Sequence, residues 1–263
     1  MRKICWKIHR WLSIPLGVFM SILCFTGLIL LFGKEIASAF GQDSRQMPFL
    51  VAIRQLHRWL LMVPDNPHSG LSLGRIITAV SAMAMTLVLL TGVVIWWPKN
   101  KEMLKNRLTV STSKGFRRFV HDTHVTLGIY AFVFLFLMAV TGPVFSFGWY
   151  NQGLSKLLGQ KTMGKEMMVK KGDDREAATK VQAWDKRADK QMGKPTESQQ
   201  NGHQMKGGPH GKKSHGAMLF KSLHMGTWGG WFSKILYALA ALIGGFLPIS
   251  GYYLWWKRKH RVA

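Results

Sequence analysis

Four histidines occupy matched positions in the two halves of the sequence and are the residues best suited to chemistry. They are His9 and His57 in the first half, and His124 and His224 in the second. Two neutral imidazoles that face each other across a helix bundle provide both axial ligands of a b-type haem. We therefore predict two haems with these histidines as axial iron ligands, one held by His9 and His124 and the other by His57 and His224.

Each histidine has a companion pair that consists of a hydroxyl residue and a glycine. The pairs are Thr26-Gly27, Thr91-Gly92, Thr141-Gly142 and Ser250-Gly251. By depth along the helices, the second and fourth pairs lie level with His9 and His124, and the other two lie level with the remaining histidines. Glycine lets a backbone or a flat macrocycle approach closely, so all four glycines are candidate haem contacts. The alternative is that the pairs serve helix packing and the histidines are hydrogen-bonded anchors at the membrane interface.

His121 is a rival ligand to His124, because residues three apart share one helix face. The interval from histidine to threonine favours His124, since His124 precedes Thr141 by the same interval as His9 precedes Thr26. His121 then remains a candidate second partner, a proton handler or a contact of a haem propionate. Further candidates for propionate contacts are Arg10, Arg58, Arg117 and Arg118, with lipid phosphate as the alternative partner.

Four helices that cross a membrane are needed to position these residues. Apolar segments long enough to span about 30 Å of hydrocarbon run over residues 11–32, 76–97, 127–147 and 232–256. The chain is 48% apolar with a formal net charge of +24, and its basic residues lie between the apolar segments. This pattern predicts contact with a lipid bilayer and no nucleic-acid partner. Residues 49–61 are predicted to form a short amphipathic surface helix, and Ser72 is expected to cap the second span.

The chain is predicted to be an all-α membrane protein, a four-helix transmembrane bundle built from a duplicated two-helix unit. Residues 1–99 are the first unit, 100–118 a basic loop, 119–147 the third span, 148–222 a long loop, 223–258 the fourth span and 259–263 a tail. The positive-inside rule places both termini in the cytoplasm and the long loop in the periplasm of a bacterial inner membrane. A parallel pseudo-two-fold axis along the membrane normal then relates the two units.

The pair of His57 and His224 is the less regular one. The interval from His57 to Trp96 is longer than the corresponding interval from His224 to Trp255. The first half thus contains eight extra residues here, which leaves open whether His57 reaches the depth of His224.

The long loop contains a weaker metal-binding pattern and no pattern for nucleotide cofactors. Imidazole and thioether groups suited to copper or another soft metal occur at Met163, Met167, Met168, Met192, His203, Met205, His210 and His215. Residues 173–190 are predicted to be helical, and residues 194–215 are polar and of low complexity. The chain has no Rossmann glycine pattern and no P-loop, which argues against bound nicotinamide or flavin.

Taken together, the motifs resemble the PepSY-associated transmembrane helix family. The motifs are His9-Arg-Trp-Leu with Thr26-Gly27, Leu56-His57-Arg with Thr91-Gly92 and Trp96-Trp97, His124 with Thr141-Gly142, and Leu223-His224-Met-Gly226 through Trp255-Trp256. Some members are inner-membrane reductases of ferric siderophores with two haems on bundle histidines. The resemblance implies electron transfer from an unidentified cytoplasmic or membrane donor to a siderophore-type ferric complex in the periplasm. The alternative is a non-catalytic accessory protein of iron or copper uptake, or a regulatory membrane anchor.

The long loop departs from the pattern of the larger family members, which contain a folded PepSY domain there. Here the loop is confined to residues 148–222 and has a low-complexity end. A reduced PepSY-like region from Gly148 to about Lys190 is the remaining expectation for this segment.

Overall fold

The computed structural model describes residues 1–64, 72–159 and 215–259, and these ranges are helical without any strand. The α-helices are α1 (Arg2–Leu31), α2 (Gly33–Ala39), α3 (Pro48–Trp59), α4 (Leu73–Trp96), α5 (Lys101–Leu108), α6 (Phe116–Thr141), α7 (Gly148–Leu157), α8 (His215–Met225) and α9 (Gly230–Lys259), and a 3₁₀ turn at Gly142–Phe145 continues α6. The predicted all-α class is confirmed. The chain divides into two compact units, residues 1–151 with 219–263 and residues 152–218, and the four candidate ligands belong to the first.

Four helices are long and apolar enough to cross a membrane: α1, α4, α6 with its 3₁₀ turn, and α9. They contain 24 to 30 residues, which at about 1.5 Å per residue exceeds a hydrocarbon core of about 30 Å. Large apolar side chains remain more than half exposed on these helices, among them Val18, Leu87, Val133, Leu239 and Phe246. Such an outward surface suits lipid. The helices also reach further than the predicted spans, since α1 begins at Arg2.

The four long helices form a ring in which α1 and α6 are diagonal partners. α1 packs against α4 and α9, and α6 packs against the same two helices. The centre of the ring contains small or flexible apolar residues, namely Cys24, Leu89, Ala131, Leu135, Ala139 and Ala240. Small residues let membrane helices approach closely, and larger side chains such as Phe132 and Phe136 pack around them.

Two short helices, α3 and α8, precede α4 and α9 respectively. The amphipathic helix predicted at residues 49–61 is confirmed as α3, and the hydroxyl of Ser72 caps α4 by accepting a hydrogen bond from the Arg75 N–H at 3.3 Å. The last span does not begin at Leu223, as the sequence suggested, because Gly226 with φ of +61° ends α8 and a turn precedes α9. His224 therefore lies on α8 and not on the spanning helix.

The extra residues of the first half lie between its short helix and its spanning helix. α3 ends at Trp59 and α4 begins at Leu73, whereas α8 ends at Met225 and α9 begins at Gly230. The two histidines keep nearly the same place in their short helices, His57 two residues before the end of α3 and His224 one residue before the end of α8.

Several predictions concern segments outside the described residues. These are the helix at 173–190, the low-complexity stretch, the His/Met metal pattern and the larger part of the reduced PepSY-like region. Within the described ranges, α7 occupies the beginning of that region.

Gly74 is expected to be required for the packing of α3 on α4. A methyl group at this position would overlap the Trp59 carbonyl and lie 3.0 Å from the Met62 Cβ. Gly74→Ala should therefore lower the free energy of unfolding by about 1–3 kcal/mol, the usual cost of overpacking. The measurement is the melting temperature of the detergent-purified chain.

Gly128→Ala provides a matched control for this substitution. Its added methyl group would meet only the Leu247 Cδ2 at 3.8 Å, an ordinary contact, and alanine also favours helix. This variant should melt at or above the parent temperature. Equal melting temperatures of the Gly74 variant and the parent would show that the contact does not hold α3 in place.

Candidate functional site

His9 on α1 is held by the neighbouring helix α4. Its Nδ1 lies 2.9 Å from the Val88 carbonyl oxygen and 3.3 Å from the Thr91 hydroxyl. A carbonyl oxygen only accepts hydrogen bonds, so Nδ1 carries the proton and donates it. The lone pair of Nε2 is then free to bind a metal.

His124 on α6 is held in the same way by α9. Its Nδ1 lies 2.7 Å from the Ser250 hydroxyl oxygen. The Ser250 hydroxyl donates its own hydrogen to the Leu247 carbonyl at 2.8 Å, so it accepts the hydrogen bond from Nδ1–H. His124 is thus in the same tautomer as His9.

His57 and His224 are held by the ends of α1 and α6. The Nδ1 of His57 lies 2.8 Å from the Thr26 hydroxyl, which donates its own hydrogen within α1 and therefore accepts from the imidazole. The Nδ1 of His224 lies 3.1 Å from both the Met138 carbonyl and the Thr141 hydroxyl. Each Nδ1–H is again engaged and each Nε2 is free.

Two of the four glycines make room for an imidazole ring. A Cβ atom added to Gly27 would lie 3.2 Å from the His57 Cε1, and one added to Gly92 would lie 3.3 Å from the His9 Cε1, both tighter than ordinary contacts. A Cβ atom at Gly142 would lie 3.6 Å from the His224 Cε1 and one at Gly251 would lie 3.7 Å from the His124 Cε1, which are ordinary van der Waals distances. Each pair thus contacts the histidine that its depth indicated. The hydroxyl of each pair bonds to the ring, whereas the sequence had suggested only close approach by a backbone or macrocycle.

The rings of His57 and His224 lie opposite each other despite the unequal intervals in the sequence. Their centroids are 6.4 Å apart and their planes differ by 60°. Two imidazoles that bind one metal ion from opposite sides, at metal–nitrogen distances of about 2.0–2.1 Å, have centroids about 6.4 Å apart. The centroid separation of this pair fits one metal ion between the two rings.

Burial favours the neutral form of the His57 and His224 imidazoles. Burial lowers the pKa of His57 to about 4, and the neighbouring His224 adds to the shift. Burial also lowers the pKa of His224 to about 4, although its hydrogen bond to the Met138 carbonyl opposes the shift. Neutral imidazole is the form that binds a metal, so both rings are ready to act as ligands at neutral pH.

His9 and His124 line one cavity of about 1120 Å³ at the opposite end of the bundle. This volume lies slightly above the range of about 300–1,000 Å³ that is usual for cofactor pockets. Gly92 and Gly251 also line the cavity, and Phe132 forms part of its apolar wall. The cavity is therefore large enough for a cofactor, and it lies between two diagonal helices.

His121 lies on the same cavity in a different setting. Its side chain is 55% exposed, and its Nδ1 lies 3.2 Å from the Asp122 Oδ1. The Arg118 Nε donates to the other oxygen of Asp122 at 2.8 Å. His121 thus belongs to a surface cluster of charged groups and has no hydroxyl and glycine pair of its own.

The arginines that the sequence offered as propionate contacts lie at both ends of the bundle. Arg10 and Arg117 line the cavity, whereas Arg58 stacks on Trp59, 4.6 Å from the ring centroid, beside His57 on α3. Reasoning from the sequence missed two wall residues, Trp6 and Arg258, which lie at the two ends of the chain. Their nearness to the ends of apolar spans was the available signal, but it equally indicated interfacial anchors.

The side chains suited to bind a metal are arranged as pairs of imidazoles within the part of the chain that the structure describes. No group of three or more histidine, cysteine, aspartate or glutamate side chains that would hold a bare metal ion occurs in these ranges. Cys5 and Cys24 are both free thiols.

Comparison with known proteins gives one match. A family model described as the PepSY-associated TM region matches residues 6–49 and 39–258. Together with the four apolar helices, this match identifies a multi-pass membrane protein. Neither the curated proteins nor the solved structures contain a match to the chain.

The low pKa values of His57 and His224 predict that acid destabilises the chain when nothing is bound to these imidazoles. Between pH 6.5 and about pH 4, the unfolded state binds protons at these imidazoles and the folded state does not. The free energy of unfolding should therefore fall as the pH falls through this window. The melting temperature of the detergent-solubilised chain, measured at about pH 7 and about pH 4.5, tests this sign.

The double variant His57→Gln with His224→Gln serves as the reference for this titration. Glutamine does not titrate, so the acid-dependent loss of stability should be smaller in the variant than in the parent. Identical pH dependence of the two proteins would contradict the assignment to this pair.

Proposed function

We propose that this chain, which belongs to the family of the PepSY-associated TM region, is a transmembrane electron-transfer protein with two b-type haems. His9 and His124 would hold one haem iron, and His57 and His224 the other. The observation that carries the proposal is the common state of the four imidazoles, each with its Nδ1–H engaged by a neighbouring helix and its Nε2 free.

The residues present fit this cofactor on three counts. The centroid separation of 6.4 Å between His57 and His224 suits two axial ligands of one iron. The cavity between His9 and His124 is large enough for a macrocycle. In a metal-binding histidine, the N–H of the second ring nitrogen usually donates a hydrogen bond to a carbonyl or another acceptor. This bond fixes the ring and raises its basicity. All four histidines do so.

Haem supplies one-electron redox chemistry when bound, and the chain supplies the ligands and the apolar surroundings. The hydroxyl and carbonyl oxygens beside the four rings hold each imidazole in the tautomer whose Nε2 is unprotonated, so all four rings are oriented before a metal binds. The core of Cys24, Leu89 and Leu135 keeps water out of the space between the two ends. These features support two haems kept apart in a medium of low dielectric constant.

The charge distribution supports a direction for the transfer. The short basic segments, residues 1–10, 98–118 and 257–259, lie at the end of the bundle that contains His9 and His124, which the positive-inside rule assigns to the cytoplasm of a bacterial inner membrane. The long loop at residues 148–222 is also basic, but long loops cross the membrane largely regardless of their charge. Electrons would enter there from a cytoplasmic or membrane donor. They would leave near His57 and His224, where one electron reduces Fe(III) of a siderophore-type complex to Fe(II). The family resemblance supports this class of acceptor.

The haem-to-protein ratio tests the ligand assignment. Chain purified from haem-replete cells should contain two haems with bis-histidine spectra. His124→Ala should remove one haem and leave the other, because it deletes an axial ligand. His121→Ala should retain both, since this ring is exposed and bonded to Asp122. Equal losses in the two variants would show that His124 is not the ligand, and a colourless parent would favour the accessory protein.

Ferric reduction by the purified chain tests the proposed activity. The dithionite-reduced chain, freed of excess reductant, is mixed with a ferric siderophore, and Fe(II) is trapped with a chromogenic chelator. His57→Ala should retain the haem of His9 and His124 and reduce iron at least about 10-fold more slowly, the loss expected for about 1.4 kcal/mol. A parent that retains its electrons in the presence of the ferric complex would refute this acceptor.

A further inference from the structure

Two buried N–H donors at the end of the bundle near His9 have no acceptor among the described residues. They are the Nε of Arg10 and the Nε1 of Trp96. Both residues line the cavity shared by His9 and His124. A buried N–H donor without an acceptor destabilises the fold, so such groups in a cavity wall indicate an acceptor on a bound molecule.

The two donors are placed around one imidazole. Arg10 directly follows His9 in α1. Trp96 lies four residues after Gly92, about one helical turn, and Gly92 contacts the ring of His9. A molecule held at the Nε2 of His9 would therefore have both donors near one of its edges.

Indole rings hold the guanidinium of Arg10 in place. Its Cζ lies 4.4 Å from the centroid of Trp6 and 5.4 Å from that of Trp11. The Cζ of Arg258 lies 4.7 Å from the same Trp6 ring. Stacking uses the face of a guanidinium and leaves the N–H groups at its rim for hydrogen bonds. No carboxylate of the described residues forms an ion pair with either arginine.

The acids of the cavity wall do not neutralise these cations. Among the described lining residues the acids are Glu102 and Asp122, and Asp122 is bonded to Arg118 and His121. Arg107 donates to carbonyl oxygens at the end of α4 and is also engaged. The charge that remains unmatched on this wall is positive.

We propose that Arg10, Trp96 and Arg258 form a carboxylate-binding site for the two propionates of the haem at His9 and His124, an inference that rests on the proposed function. Haem has its two carboxylates on one edge, and a guanidinium binds a carboxylate through two parallel hydrogen bonds. The site directs this edge toward the start of α1 and the end of α9. The opposite orientation would bury two carboxylates in the apolar core around Leu89, at a large cost in desolvation.

The rate of haem release tests the site in the purified full-length chain. Arg10→Gln and Arg258→Gln should each speed the transfer of one haem to excess apomyoglobin by about 10-fold or more, because a hydrogen bond to a charged group contributes about 1.5–3 kcal/mol. Trp96→Phe, which removes one neutral N–H donor and no charge, should speed the same phase less. The second haem, identified as the one lost in His57→Ala, should be released at the parent rate.

Lys257→Gln is the matched control. Lys257 directly precedes Arg258, is exposed and is not among the residues that line the cavity, and its loss removes the same charge. It should release both haems at the parent rate. If Arg10→Gln and Arg258→Gln match this control while the parent contains two haems, the carboxylate site is refuted and the proposed function stands. A parent without haem would overturn both.

Haem dimethyl ester separates propionate from lipid phosphate as the acceptor. Its esterified propionates cannot form charge-assisted bonds to guanidinium, so the parent should release it faster than protohaem. Arg10→Gln should release the two forms at more similar rates than the parent does. If Arg10→Gln speeds the release of both forms equally, the partner of Arg10 is a lipid headgroup and the proposal is wrong.

Discussion

The hydrogen bond from each imidazole Nδ1–H to a neighbouring helix is the interaction on which the rest of the site depends. A neutral histidine has two tautomers, and only this bond leaves Nε2 as the unprotonated nitrogen. The acceptors are hydroxyl or carbonyl groups of a second helix, so each bond also joins two elements of the bundle. In a membrane, where an unpaired N–H is costly, the same bond stabilises the fold and prepares the ligand.

The two ends of the bundle use this interaction in different structural settings. His57 and His224 lie on short helices outside the spans. The centroids of their rings are close enough for both imidazoles to bind one metal ion. His9 and His124 lie on spanning helices that are diagonal in the ring, and a cavity lies between them. Gly27 beside His57 and Gly92 beside His9 leave space that a Cβ atom would crowd, one glycine at each end of the bundle.

Much of the fold could be predicted because its signals are local. Apolar runs of about 20 residues indicate spans, since the thickness of the hydrocarbon sets the length of a helix. The helix at Pro48–Trp59 and the cap at Ser72 follow from amphipathic spacing and from side-chain hydrogen bonding within a few residues. The four histidines were also identifiable, because matched intervals along a helix report depth in the membrane.

What the sequence alone determined was therefore the number of spans, the candidate ligands and their level in the bundle. Only the tertiary structure decided that His57 meets His224, because a connection of variable length separates position in the chain from position in space. It also decided the tautomers and the unmatched donors of Arg10 and Trp96. The tautomers and the unmatched donors depend on how each helix is rotated relative to its neighbours. Packing sets this rotation, and the number of residues between two positions in the sequence does not reveal it.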